Sequence, residues 1–205
     1  MSLTRTQRIA STSAATFGTG AYTSASFTPN NNSLLVAVGF GITTANGGMR
    51  GTDLTITDSA GLTWTSRAAT TASPSWSYGI RIWTAPVTTG TSMTVSIDAG
   101  AFSMEFYRLE IFDYTTTESG FLVGASAEGS DADGDGAASI TLSASPASSS
   151  EVLAACLTGI SSASGTVTPG GGWSEINDNA ATNWAVFQTQ SRAGSTSTSV
   201  DWSDV

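Results

Sequence analysis

The chain has 205 residues, of which 16 are acidic and seven basic, and its formal net charge at pH 7 is −9. All seven basic residues are arginine, and the sequence contains no lysine and no histidine. An acidic chain repels phosphate backbones, so this balance argues against nucleic-acid binding.

Only 11% of the residues are charged, so solubility must rest mainly on Ser, Thr, Asn and Gly. Such a surface is typical of extracellular β-proteins and of virion proteins. Residues 1–8 lack the apolar segment of a signal peptide. No apolar run approaches the roughly 20 residues that cross a bilayer. We therefore expect a protein that is made in a cytoplasm and has no membrane segment.

The predicted elements are strands throughout, because the Thr, Ser and Gly content opposes helix and no window combines helical spacing with cap signals. In chain order, the predicted strands lie at 7–11, 24–28, 33–43, 54–57, 62–67, 76–85, 93–97, 104–114, 121–127, 139–143, 151–161, 173–176, 183–190 and 196–202. About a dozen short strands separated by turn residues predict an all-β, jelly-roll-like antiparallel β-sandwich with almost no helix.

Two of these strands, 33–43 and 151–161, are apolar on both alternating faces. A strand with one wet face would show a polar residue at every second position. We therefore expect both to be central strands that are covered on both sides.

A hairpin is predicted between strands 54–57 and 62–67. The residues between them, Asp58–Gly61, are turn formers, and both flanking segments alternate between apolar and polar residues.

The elements that follow each apolar strand come in a similar order. A Pro turn precedes Leu34 and another precedes Val152, and Gly61–Trp64 matches Gly171–Ser174. We interpret the chain as one β-sandwich domain, residues 1–205, with similar halves at about 24–127 and 139–205 and an acidic linker at 128–138.

The second half has no counterpart of strand 104–114, since the chain ends at Val205, where that strand should begin. A missing strand leaves an open edge with unpaired N–H and C=O groups. We expect one of two segments to pair with this edge: the N-terminal segment around Arg8–Ala10, which we favour, or a strand of another chain.

The order of these motifs resembles a β-sandwich domain that recurs in phage virion proteins (capsid decoration, spike or tail-fibre type) and in secreted bacterial surface proteins. The similarity spans residues 24–202 and rests on the Pro turn before Ser33–Val38, on Thr57–Thr65, on Tyr78–Pro86 and on Thr94–Ile97. Members of that family continue past the position of Trp202 with one more apolar strand. The resemblance implies a fold and no catalytic residues.

The acidic linker contains alternating carboxylates followed by glycine, namely Asp131, Asp133 and Asp135. An EF-hand loop begins in this way because oxygen ligands converge on the cation while Gly permits the turn. A complete EF-hand loop needs a bidentate Glu at its twelfth position. Counted from Asp131, that position is Leu142, so a complete EF-hand is excluded. The segment predicts either a partial Ca²⁺ site, completed by Glu128 or by backbone carbonyls, or a solvated linker. No other cofactor is predicted.

The sequence contains six tryptophans, a residue type that carbohydrate-binding surfaces use to stack against sugars. Trp64 and Trp173 each lie near the start of a strand after Gly and are predicted core anchors. Three others lie in predicted strands, beside residues that are expected to face the core. We take these three as the candidate contacts for a glycan or a protein partner: Trp76, Trp83 and Trp184.

Catalysis has little support in the sequence. The only cysteine, Cys156, lies in an apolar strand, where a thiol behaves as a small hydrophobe, and without histidine the usual base-activated nucleophiles are missing. The acidic candidates for glycoside hydrolysis lie on one strand or just past it: Glu105, Glu110, Asp113 and Glu118. Glu105 and Asp113 are too far apart along that strand to act together. We expect that the protein is not an enzyme.

Together these features favour a phage virion structural protein, a capsid decoration, minor capsid or spike protein that acts by binding. Its expected partners are capsid or tail proteins, with the chain present as a homo-oligomer or as a lattice-bound copy in the virion. It would be made in the host cytoplasm. The alternative is a carbohydrate-binding or adhesion module of a secreted or tail-fibre protein, located at the cell surface or outside the cell.

Overall fold

The structure is a computed structural model. It describes residues 3–10, 14–43, 48–70, 78–117, 120–121, 123–129, 138–159, 167–182 and 185–204. The described residues form fifteen strands: β1 (Leu3–Ile9), β2 (Ala14–Gly18), β3 (Tyr22–Thr23), β4 (Ser33–Thr43), β5 (Thr55–Asp58), β6 (Thr65–Ala69), β7 (Tyr78–Val87), β8 (Val95–Asp98), β9 (Met104–Thr116), β10 (Ser139–Thr141), β11 (Glu151–Gly159), β12 (Thr168–Pro169), β13 (Ser174–Thr182), β14 (Ala185–Ala193) and β15 (Ser199–Asp204). One short 3-10 helix lies at Gly51–Asp53.

All pairings between these strands are antiparallel. The predicted all-β, antiparallel fold is therefore confirmed, and the jelly-roll assignment stays a prediction. Contacts divide the chain into two compact units, unit 1 (Met1–Leu122) and unit 2 (Val123–Val205). The single domain, residues 1–205, likewise stays a prediction.

Unit 1 contains a six-stranded sheet of order β1-β9-β4-β7-β6, with β2 also paired to β9, and a smaller sheet of order β3-β8-β5. Strand β4 has the bounds that the sequence predicts, and it pairs along its length with β7 on one side and β9 on the other. Leu35 and Ala37 project from it into a core that includes Trp83 and Leu109. The ring of Trp83 lies against Gly39, where a Cβ would be 2.8 Å from Cζ3 of the indole. Gly39 thus leaves the space that the indole fills.

Among the described residues, unit 2 has six strands where unit 1 has nine, and it repeats part of the strand order of unit 1. Its sheets have the orders β11-β14-β13 and β10-β15-β12, which correspond to β4-β7-β6 and β3-β8-β5. The core between them contains Val186, Trp173 and Trp202. No strand among the described residues of unit 2 takes the place beside β11 that β9 takes beside β4.

The predicted hairpin at 54–67 is wrong. Strand β5 pairs with β8 in the small sheet, whereas β6 pairs with β7 in the large one. Residues 59–64 therefore pass from one sheet to the other. Turn formers mark a change of direction, but they do not say whether the next strand returns to the same sheet.

Two predicted strands are reduced or missing. In the predicted strand 24–28 only Phe27 pairs, as an isolated bridge to Met93, and a regular strand precedes it at Tyr22–Thr23. The described part of 121–127 forms no strand, and Val123 is exposed. The apolar residues of this segment predicted a strand, but strand formation also depends on a neighbouring strand to pack and pair with.

The N-terminal strand is longer than predicted and pairs with β9 inside unit 1. The expectation that it completes the second half is therefore wrong. The chain's last strand, β15, is no open edge either, because β10 and β12 pair with its two sides. In the β11-β14-β13 sheet of unit 2 the edge strands are β11 and β13.

Candidate functional site

Most of the predicted site residues lie outside the described residues. These are the carboxylates Asp131, Asp133 and Asp135 and the indoles Trp76 and Trp184. Within the described ranges, no group of three or more His, Cys, Asp or Glu side chains is placed to hold a metal ion. The Ca²⁺ site and these two aromatic contacts stay predictions.

Trp83 is 3% exposed and belongs to the core of unit 1. The guanidinium of Arg81 lies 5.5 Å from its ring centroid and donates to the carbonyls of Thr52 and Leu54. An indole buried in this way has no face on which a sugar can stack from solvent. Trp83 therefore serves as a core side chain in this structure.

The two tryptophans that were predicted as core anchors, Trp64 and Trp173, are confirmed as such. Trp64 is half-buried against the core of unit 1, and Trp173 is buried in the core of unit 2. The guanidinium of Arg192 lies 4.4 Å from the ring centroid of Trp173, a cation–π contact.

Two of the candidate catalytic carboxylates are held in ion pairs. Glu110 accepts from Nε and Nη2 of Arg108 at 2.9 and 2.6 Å, with both side chains buried. Asp113 accepts from Nε and Nη2 of Arg8 at 3.0 and 2.8 Å. The register of β9 is regular between positions 110 and 113, so the two carboxylates lie on opposite faces of the sheet. They are not arranged as a pair that flanks one bond.

The thiol of Cys156 is buried in the core of unit 2. Burial raises the pKa of Cys156 to about 12, because the thiolate would lose its hydration. A thiol with so small a thiolate fraction is a poor nucleophile at neutral pH. It acts as a small apolar side chain, as the sequence indicates.

The most distinctive surface of the described structure is the free edge of β11, defined here as the side of Glu151–Gly159 that faces away from β14. Nine consecutive residues of β11 pair with β14 without a register shift. Of residues 151–158, only Ala154 and Cys156 are buried, and the others are half-buried. The counterpart strand β4, with a neighbour on each side, is buried along nearly its whole length. Because no described strand lies on that side, this edge of β11 is partly open.

The other edge strands of the described sheets are interrupted or short. Register shifts break β1, β2, β6, β12 and β13, and β3, β5 and β10 have two to four residues each. Such features keep sheet edges from pairing with other chains. By contrast, β11 is long and regular, contains no proline and carries one charge, that of Glu151.

The sequence predicts an open edge at the end of the chain, whereas the open edge among the described residues is that of β11. The signal that points to β11 is its match to β4, a strand that needs two neighbours. Hydropathy alone did not reveal it, because an apolar pattern reports the faces of a strand and not its edges.

Comparison with protein-family models, with curated proteins and with solved structures gives no match to this chain. None of the described residues form a helix with the length and apolar character needed to cross a membrane. Among the described residues, the antiparallel sheets have one long, regular and uninterrupted edge, that of β11.

Proposed function

We propose that this chain is a structural protein of a phage particle, a capsid decoration, minor capsid or spike protein that acts by binding to the particle. The observation that carries the proposal is the free edge of β11, which is regular and nearly uncharged while every other described edge is interrupted or short. A sheet edge of this kind binds by adding a strand, with main-chain hydrogen bonds that need no catalytic group.

The charge balance supports the same role. A net charge of −9 on a chain with few charged residues disfavours nonspecific association, so binding has to come from a specific, nearly uncharged surface. The resemblance of residues 24–202 to β-sandwich domains of virion proteins agrees with this. The partners would be capsid or tail proteins, and the location would be the virion.

Co-sedimentation with assembled particles tests the proposal. The wild-type protein should pellet with particles, and Ala155→Lys, which adds a charge in the middle of β11, should remain in the supernatant. Ser174→Lys on the exposed start of β13 is the matched control and should pellet like the wild type.

Failure of the wild type to pellet with particles would contradict the proposal. Glycan-array binding that is lost on Trp76→Ala or Trp184→Ala would support a carbohydrate-binding or adhesion module instead.

A further inference from the structure

We infer that β11 pairs antiparallel with β11 of a second copy, about a two-fold axis that passes through Ala155. This inference rests on the proposed structural role and names the strand that the edge adds, that of a second copy, so that the dimer is the form that binds the particle. Its product is a dimer whose two three-stranded sheets join into one six-stranded sheet of order β13-β14-β11-β11-β14-β13.

Unit 1 shows which kind of strand this edge accepts. On the corresponding side of β4 lies β9, antiparallel and in regular register from Leu34 to Ile42. An edge strand exposes the N–H and C=O groups of every second residue on its free side, and those groups are satisfied best by a strand of similar length. An antiparallel strand of about nine residues would complete the sheet of unit 2 in the way that β9 completes that of unit 1.

A second copy supplies such a strand without any further element. A two-fold axis turns β11 antiparallel to itself, and a register centred on Ala155 pairs all nine residues, with Glu151 opposite Gly159 of the second copy. Because each copy uses the same edge, the contact closes on itself and does not grow into a fibre.

The charge pattern of β11 suits self-pairing. Its one charged residue, Glu151, lies at the end of the strand, so the two carboxylates of a dimer would be about eight residues, or roughly 27 Å, apart. Neutral residues would face each other everywhere else. Two like charges directly opposite each other, which would oppose pairing, do not occur in this register.

The side chains are also self-complementary. In the Ala155 register Leu153 lies opposite Leu157 of the second copy, and both are half-buried in the single chain. Ala154 lies opposite Cys156. Apolar cross-strand pairs of this kind stabilise a sheet by about 0.2–1 kcal/mol each, and each occurs twice in a symmetric pair.

The mass of the protein in solution, measured by light scattering after size exclusion, tests the inference. The wild type should have twice the chain mass of 20.8 kDa. Ala155→Lys and Ala155→Glu should each raise the dissociation constant at least about tenfold, because the axis places like charges face to face. An equimolar mixture of the two variants should restore the dimer, since the introduced ammonium of one copy then faces the introduced carboxylate of the other.

Ser174→Lys at the start of β13 is the control and should remain dimeric. Circular dichroism and thermal melting show whether each variant is folded. Rescue by mixing is itself independent of this check, because unfolded chains would not form a dimer of defined mass.

A cysteine cross-link tests the register. In a Cys156→Ala background, Ala155→Cys places two thiols opposite each other at the axis and should form a covalent dimer on mild oxidation. Leu153→Cys in the same background faces Leu157 and should remain largely uncross-linked. Equal cross-linking of both variants would overturn the Ala155 register.

Three outcomes would overturn the inference. A wild-type monomer that still pellets with particles, and loses this on Ala155→Lys, would assign the edge to a strand of another protein and leave the proposed function intact. A dimer whose dissociation constant is unchanged by Ala155→Lys would place the interface elsewhere. A monomer that binds no particle would remove both the inference and the proposed function.

Discussion

The indole Nε1 of Trp64 donates a hydrogen bond of 2.8 Å to Oδ2 of Asp58. The same carboxylate accepts from the backbone N–H of Ala60 at 2.7 Å and from that of Leu62 at 3.1 Å. One side chain thus satisfies three donors in the segment that leaves the small sheet of unit 1 and enters the large one. Asp58 and Trp64 together hold this crossing, which sequence reasoning took for a hairpin.

Replacing Asp58 should destabilise the protein more than replacing Trp64. Asp58→Ala leaves three donors without their acceptor and should lower the free energy of unfolding by about 1–3 kcal/mol. Trp64→Phe keeps most of the ring packing and removes one hydrogen bond, so a loss of about 0.5–1.5 kcal/mol is expected. Urea denaturation followed by tryptophan fluorescence and circular dichroism measures both.

Thr57→Ala, at an exposed neighbouring position in β5, serves as the control and should change the stability by less than about 0.5 kcal/mol. A loss for Asp58→Ala no larger than that of the control would contradict the role assigned to the carboxylate.

The strands themselves could largely be predicted from the sequence, whereas their partners could not. The bounds of β4 follow from an unbroken apolar run between a Pro-Asn turn and a Gly-rich segment. Turn residues such as Asp58 and Gly61 look alike whether the chain returns to the same sheet or crosses to another. Strand pairing is decided by contacts between residues distant in sequence, such as Arg8 and Asp113. The hydrophobic periodicity of a single segment does not predict such contacts.

The candidate site was harder to predict for a related reason. Trp83 was predicted as a candidate contact because it lies in a strand beside residues that are expected to face the core. In the structure its indole lies in the core itself, and the guanidinium of Arg81 above it donates to the carbonyls of Thr52 and Leu54. Which face of a strand is covered depends on the sheet that packs against it, and a strand with apolar residues on both faces does not reveal this.

Arg8 should be the residue that anchors the N-terminal strand. Its guanidinium donates twice to Asp113, a side chain that is fully buried and that also accepts from the backbone N–H of Asn30 at 2.8 Å. Arg8→Ala removes the charge partner of a buried carboxylate, and a loss of about 2–4 kcal/mol of unfolding free energy is expected.

Arg5→Ala is the matched control, because Arg5 lies on the same strand with its guanidinium 5.7 Å from the ring centroid of Phe112. This variant should cost about 1 kcal/mol or less. Thermal melting of both variants, together with a deletion of residues 1–12, measures the contribution of β1. Equal melting temperatures for the wild type and the deletion would show that β1 adds nothing to stability.

Gly170 and Gly171 are neighbours that should respond oppositely to the same substitution. A Cβ at Gly170 would collide with the carbonyl oxygen of Asp201, whereas a Cβ at Gly171 has no heavy atom within 4 Å. Gly170→Ala therefore forces β12 and β15 apart and should cost about 1–3 kcal/mol. Gly171→Ala should be neutral or slightly stabilising, because it restricts the unfolded chain. Chemical denaturation of the two variants side by side gives the comparison, and similar losses for both would contradict this packing.

Cys156 should make the stability of the protein fall with pH in the alkaline range. Burial raises the pKa of this thiol from an ordinary value of 9.0 to about 12, so between these values the unfolded chain has lost a proton that the folded chain keeps. The folded state then binds more protons, and the free energy of unfolding decreases as pH rises, by up to about 1.4 kcal/mol per pH unit. Well below pH 9 the thiol is protonated in both states and makes no pH-dependent contribution.

The control for this titration is Cys156→Ala, because a second buried group also responds to alkaline pH. Burial raises the pKa of Tyr107, which adds a loss of its own in this range, and the comparison cancels that loss since Tyr107 is present in both proteins. The unfolding free energies of the wild type and the variant are measured in urea at several pH values between 9 and 12. As pH rises through this range, the free energy of unfolding of the wild type should fall further than that of the variant. Two parallel curves would show that the thiol titrates alike in the folded and unfolded chains, and hence that β11 does not bury it.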